Sequence, residues 1–513
     1  MSYIIGNIPS AAHLLDVKHL AHYRDTTSLC NGDIVEFFGH IFQWDNDCVS
    51  EDLCERWRLL GDPLCDNALE EMFPHPSSTV GKDLLQSLET YVAEHPGLGP
   101  ASDFLEEVSR LPPYGIKVSP EEAILAQEFF LDHSVQIMQA LLHYSLAGGF
   151  ASPRIVRTLQ AVSYLVPHSS SNSSKALFAP MLDASARISQ SSNERTFSRL
   201  LETFQFVLDV MDCTAHSRTT VPPAPAKAAA YLMPGGEGWK SIVRVRMLHG
   251  VARMRVKARW KRDSDTVDEK VAPINQEEMS ATLASFSTVP IWCLNRLQMP
   301  PTATSASAYL SLWKHVGFYL GVSPDILRRY FSNLHTADKF LASMALHLFS
   351  TDDDPITVAA YAPTIPILRA TANRPPAYMS FEDNCALTRH LLGPALASHL
   401  GIQPTALRAR IWMHASLLIQ RMPQWFSTWY PRRGWIRKRR EVLREGIARS
   451  LRWNLGMRRT SFRPRTDLGV CMSAASHSAD DVGGALAVGV KEAEGVLPDP
   501  AGAKVLVRKW RRY

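Results

Sequence analysis

The chain reads as an all-α protein, and three observations carry that reading. Apolar residues recur three and four apart in one segment after another, the spacing that gathers them on one helix face. The segments open on Ser, Asp or Asn with proline in the first turn, and they close on glycine. No stretch sustains the period-two alternation of a strand, so no hairpin is expected. One large multi-helix domain follows, with irregular N-terminal helices and a C-terminal tail.

Taken in order, residues 52–60 form a short amphipathic helix stopped by Gly61 and Pro63, and residues 80–95 a second ended by Pro96 and Gly97. Asp62 and Asp66 read as cap and turn residues, because no further ligand is spaced to complete a metal site. Ser119, Pro120, Glu121 and Glu122 start a long buried helix that runs to Leu146 and ends at Gly148-Gly149. His133 and His143 lie on it as core polar residues. Ser152-Pro153 opens a helix over residues 154–165, with Arg154, Arg157 and Thr158 one turn apart. Residues 168–174 read as a flexible connector, and Asn193 as the cap of a helix ending near Asp212. Residues 214–230, with Pro222, Pro223 and Pro225, are a loop.

Asn275 followed by Glu278 is a capping-box arrangement, and Pro290 is expected to kink or end the helix it starts. Residues 309–320, 340–349, 387–400 and 407–422 carry further helical patterns. Residues 466–503, rich in Gly, Ala, Ser and Asp, read as disordered. The resulting division is 1–100 as a helical region on the core, 101–430 as the catalytic domain, 431–465 as a basic helical segment and 466–513 as a tail.

The 513 residues suffice for a large core, and 46% hydrophobic with 20% charged residues fits a globular protein. The net charge of +5 is unevenly placed: residues 432–465 hold 13 Arg or Lys against two Glu, so the remainder is acidic. The eight cysteines form no CxxC pair, which argues against a zinc ribbon or a disulfide scaffold and for a reducing compartment. The start lacks a secretory pattern and no run of about 18 apolar residues occurs. The expected location is intracellular, cytoplasmic or peripheral to a membrane. There is no GxGxxG, Walker or GxSxG motif, so nucleotide and hydrolase readings lack support.

The stretch from Gly235 to Val256 holds the chemistry. It predicts a helix on which His249 shares a face with Val245 and Arg246 one turn before, and with Ala252 and Arg253 one turn after. An imidazole, small apolar neighbours and two guanidinium groups are what a haem requires: an axial ligand, a wall and partners for the propionates. The plainer alternative is a hydrogen-bonded histidine on a solvated basic helix.

The string Val245-Arg246-Met247-Leu248-His249-Gly250-Val251-Ala252-Arg253 resembles the haem-ligand helix of the oxygenase family that includes latex-clearing proteins (rubber oxygenases) and fungal mpaB-type oxygenases. Supporting stretches are Pro273 to Glu278 with Thr282, Leu283 and Phe286, then Arg199 to Phe204. Gly61-Asp62-Pro63 and Trp313 to Gly317 add to them. The resemblance spans about residues 55–420. It implies a haem b held by His249 as proximal ligand, O2 as co-substrate, and cleavage of carbon–carbon double bonds in an apolar, isoprenoid-type small molecule. It also implies a catalytic Arg and Thr four apart; Arg199 and Thr203 match best, Arg154 and Thr158 second. The rubber-cleaving members add a distal Glu that has no counterpart here: the interval lands near Asp183, and residues 162–165 hold no carboxylate.

Two other classes stay open on sequence. One is a non-catalytic helical interaction protein on the same scaffold. The other is an acidic-surface or nucleic-acid binder using Arg432–Arg465, although Trp435, Trp453 and Phe462 are too scattered for a stacking platform, so no specific nucleic acid is expected. The same basic segment could give peripheral membrane contact. The oligomeric state is not legible in the sequence.

Overall fold

In the N-terminal part, helix α1 (Glu51–Arg58) follows a small sheet and is succeeded by α2 (Pro63–Met72), α3 (Leu84–Glu94) and α4 (Pro100–Ser109). The computed structural model describes residues 3–4, 17–20, 23–162, 190–213, 228–260, 271–349, 362–375, 378–430, 433–455, 459–460 and 462–465. The middle holds α5 (Pro120–Asp132), α6 (Ser134–Ala140), α7 (Pro153–Val162), α8 (Gln190–Val210) and α9 (Glu237–Trp260). Then come α10 (Gln276–Arg296), α11 (Ala303–Tyr319), α12 (Pro324–Tyr330), α13 (Leu334–Phe349), α14 (Thr364–Ala370), α15 (Phe381–Leu392) and α16 (Pro394–His399). Helices α17 (Leu407–Trp429) and α18 (Arg433–Asn454) close the described chain. The architecture is all-α, as the periodicity predicts. The segment 466–503, expected to be disordered, and the connector expected at 168–174 lie outside the described residues.

The sheet is a departure from the sequence reading. Strands β1 (Tyr3–Ile4), β2 (Lys18–His19), β3 (Ile34–Phe37) and β4 (His40–Gln43) lie in the order β1-β4-β3-β2. Strands β3 and β4 form an antiparallel hairpin across Phe38-Gly39, both at positive φ. A phenylalanine is an unusual occupant of the left-handed region, so the turn carries no ordinary composition signal. Asn31-Gly32, just before β3, was the available clue: Gly32 has φ +105° and its N–H donates to the Trp44 carbonyl.

Several helix boundaries also differ. The long helix expected after Ser119 is broken at His133 (φ −119°, ψ 18°) and passes through a π-helical stretch at Leu141–Leu146. Asn193 lies inside α8 and not at its start. Helix α10 continues through Pro290, because packing on both sides outweighs the loss of one backbone hydrogen bond. The helix expected over 387–400 is two, separated at Gly393 with φ +88°. Asn275 caps α10 as expected, its side chain accepting from the Glu278 N–H at 3.0 Å.

The larger of two apolar clusters includes α10 and α11, and the smaller one gathers Phe150, Val156, Ile367, Leu392, Leu396 and Leu400. Tyr309 and Trp313 are fully buried on α11, and Leu283, Val289 and Leu294 line α10. Burying each such side chain contributes about 1.5–3 kcal/mol. Helix α9 runs beside this core and packs on α2, α3, α7, α8 and α11. It is therefore a central helix, although its sequence reads as basic.

Candidate functional site

Helix α9 starts where the sequence places it. Gly235 turns the chain at φ +84°, and Gly236 lies so close to the Tyr231 carbonyl that a Cβ would meet it at 2.4 Å. Glu237 opens the first turn, favourable at the positive end of the helix dipole. The Ser241 hydroxyl donates to Asp209 of α8 at 2.6 Å, and the Trp239 indole donates to the Val108 carbonyl at 2.9 Å.

Four cations on α9 then close onto carboxylates from α2 and α3. Arg244 grips Asp83 through two hydrogen bonds of 3.0 and 2.8 Å. Arg246 grips Asp62 at 2.7 and 3.0 Å. Arg253 donates to Asp66 at 2.6 Å, with Lys257 at 3.3 Å from the same carboxylate. Asp62 and Asp83 are also N-caps, accepting from the N–H groups of Cys65 and Gln86. Each thus joins a helix start to α9. Burial pulls the Asp62 pKa upward, but the charge and hydrogen bonds of Arg246, with the charge of Arg253, hold it below its ordinary value.

The approach of α2 is close enough to exclude a side chain. A Cβ on Gly250 would meet Leu69 at 2.5 Å and the Cys65 sulfur at 3.0 Å. Behind the ion pairs, Gln276 donates to the carbonyls of Gly61 and Gly321 and accepts from the Ser323 N–H. Gly321, at φ +86°, passes over Asp62 and Arg246 with no room for a Cβ. Ile274 is held at φ +51°, rare for a β-branched residue, and its carbonyl faces Arg253.

His249 lies on the open edge of this assembly. Half of the residues of α9 are buried, while Val245, Leu248, His249 and Ala252 form a partly accessible stripe at helical spacing. The His249 Nδ1 is shut off from solvent and has no hydrogen-bond partner among the described residues. Among the described residues His143 bonds Thr388 at 2.8 Å, His347 the Val49 carbonyl at 2.9 Å and His315 the Leu232 carbonyl at 3.2 Å, while His390 Nε2 and His399 Nε2 share with His249 Nδ1 the lack of a partner. Burial and the charge of Arg253 push the His249 pKa down to about 4, against the charge of Asp62. The ring is neutral at physiological pH. A buried nitrogen left unpaired costs about 1–3 kcal/mol, so a bonding partner from outside the chain would be favoured there.

The two Arg–Thr pairs are differently placed. On α8, Arg199 is ion-paired with Glu202 of its own helix at 3.0 Å, and Thr203 is exposed with its hydroxyl turned back to the Arg199 carbonyl. Glu202 also pairs with Arg465. On α7, which packs against α9, Thr158 is buried and Arg154 pairs with Glu277 at 2.9 Å. Glu277 is fully buried and is held from a second side by Arg58 at 2.9 and 3.1 Å. Burial, together with the adjacent Glu277 charge, raises the Glu278 pKa to about 7 despite Arg154 and two backbone N–H groups.

Were a haem b bound at this helix, His249 would be the residue to hold its iron, while Arg246 and Arg253 would have to leave their carboxylates to reach it. The neutral, unpartnered imidazole on an apolar stripe suits an iron ligand. Arg246 and Arg253, expected at the propionates, are buried and already taken by Asp62 and Asp66. The sequence reads those two aspartates as cap and turn residues, which holds for Asp62 as the N-cap of α2, but does not pair them with the arginines. Their 180-residue separation in the chain left no periodic signal; charge opposite to charge was the only hint.

Comparison with known proteins gives the class first. Residues 170–421, which include all of α9, match an oxygenase catalytic domain. The match is to the catalytic domain of the ER-bound oxygenase mpaB/B′/rubber oxygenase family. The match begins well after the stretch near residue 55 where the sequence resemblance starts. Among solved structures, latex clearing protein in the closed state is similar at 17% identity, with a TM-score of 0.47, over 80% of this chain and 94% of that one. No curated protein matches the chain.

Proposed function

We propose that the protein is a haem b-dependent oxygenase that uses O2 to oxidise an apolar, unsaturated or isoprenoid small molecule, with oxidative double-bond cleavage as the reaction class. The observation that carries this reading is His249: neutral, half-shielded and without a partner at Nδ1, in the catalytic domain of an oxygenase family. A haem held by His249 would supply the iron chemistry that activates O2.

The chain's own residues do the rest. His249 keeps its lone pair free at neutral pH because burial and Arg253 disfavour the imidazolium. The Asp62–Arg246 and Asp66–Arg253 pairs fix α9 against α2, so the ring is oriented by packing on its far side. Val245, Leu248 and Ala252 offer apolar surface beside it and exclude water. The burial of Thr158 and the contact of α7 with α9 favour Arg154 and Thr158 as the Arg–Thr pair over Arg199 and Thr203. A buried hydroxyl there can donate one hydrogen bond to a bound oxygen atom, with Arg154 oriented by Glu277.

The test is spectroscopic. Protein expressed with haem supplementation is expected to show a Soret band that His249→Ala abolishes, while far-UV circular dichroism is unchanged. Incubation under 18O2 with prenylated and polyunsaturated compounds should put label in carbonyl products. A band of equal intensity in the variant overturns the ligand assignment. A wild-type protein that takes up no haem favours the non-catalytic scaffold.

A further inference from the structure

The unused feature of the molecule is the outer face of α17. Helical spacing places Leu407, Ile411, Leu418, Met422, Trp425 and Trp429 within one narrow stripe. Trp412, Ile419 and Phe426 form a second row beside it. All nine are at least half exposed, with Trp425 at 74% and Trp429 at 84%. Monomeric proteins seldom expose so continuous an apolar surface.

The helix is fastened on its other side. Ala409, Met413 and Leu417 are buried, and α17 packs on α15. Arg421 donates to Gln298 at 2.9 Å and Gln420 pairs with Gln136 at 3.2 Å. The exposed stripe is thus a fixed surface of the body.

Charge identifies what it meets. Helix α17 contains no acidic residue. Arg408 and Arg410 on it, with Arg433 and Arg437 on α18, are exposed and have no carboxylate partner among the described residues. By contrast, Arg439 and Arg440 of α18 are held by Asp132. A second copy of this face would set arginine against arginine across a two-fold axis. No helix among the described residues is long and apolar enough to cross a membrane.

We infer that the α17 face, with the free arginines of α17 and α18, lays the protein on an anionic lipid bilayer, α17 lying in the plane of the interface. Its indoles sit at headgroup level, its aliphatic stripe enters the acyl boundary, and the arginines meet lipid phosphates. The contact expected from Arg432–Arg465 alone is thereby moved onto α17, with the basic segment as its rim. This inference does not depend on the haem reading.

The full chain is to be sedimented with phosphatidylcholine vesicles and with phosphatidylcholine–phosphatidylserine vesicles. Partitioning should favour the anionic vesicles by about tenfold or more. Trp425→Gln with Trp429→Gln should lower binding to both by about tenfold or more. Arg433→Gln with Arg437→Gln should remove most of the anionic preference and leave the binding to neutral vesicles intact. Equal partitioning of the tryptophan variant and wild type overturns the inference, as does failure to pellet with either vesicle. So does light scattering that shows a lipid-free dimer which the tryptophan variant splits, since a second copy would then own the face.

Discussion

The α9–α2 interface and the α17 surface are made of the same residue types and use them oppositely. Both combine arginines with large apolar side chains on a helix. At α9, Arg246 and Arg253 are 4% and 0% exposed and each meets a carboxylate from α2. At α17, Arg408 and Arg410 are exposed and α17 offers no carboxylate. A buried cation must be paired because its desolvation costs several kcal/mol, while an exposed one keeps its water. Composition therefore cannot separate a basic helix at the centre of a fold from one at its edge. What separates them is whether acids elsewhere in the chain arrive opposite.

That contrast can be tested by breaking each side. Asp62→Ala leaves the Arg246 guanidinium buried without its carboxylate and is expected to cost about 3–5 kcal/mol in urea unfolding. Combining it with Arg246→Met should recover most of that loss, since the cost is an uncompensated charge; a double variant as unstable as the single one would contradict the account. Gly250→Ala probes the same interface by volume. Its Cβ meets Leu69 and Cys65, and the expected loss is about 1–3 kcal/mol, read as a lower thermal midpoint. On the other side, Trp425→Gln removes a side chain that is 74% exposed and should alter stability by no more than about 0.5 kcal/mol. A larger drop would mean that the α17 stripe is covered within the chain.

The sequence by itself determined the helical class and the position of α9 after Gly235-Gly236. These rest on local physics: spacing of apolar residues, caps, and the freedom of glycine at a turn. It also carried enough family pattern around His249 to point to an oxygenase domain, which the match over residues 170–421 bears out. It did not reveal the hairpin at Phe38-Gly39, because a left-handed phenylalanine is imposed by its surroundings and not preferred by the residue. Nor did Pro290 stop α10, since burial on both sides outweighs a local preference.

Only the tertiary structure decided what the arginines of α9 do. Asp62 and Asp66 lie more than 180 residues from Arg246 and Arg253, and in sequence they look like turn residues. Folding brings α2 against Gly250, and the two carboxylates then become the partners that make a basic helix fit to be buried. The same step leaves the His249 Nδ1 of α9 shielded and without a partner among the described residues. An ion pair across such a separation follows from how helices pack, and helix packing is a property of the whole chain that no local pattern encodes.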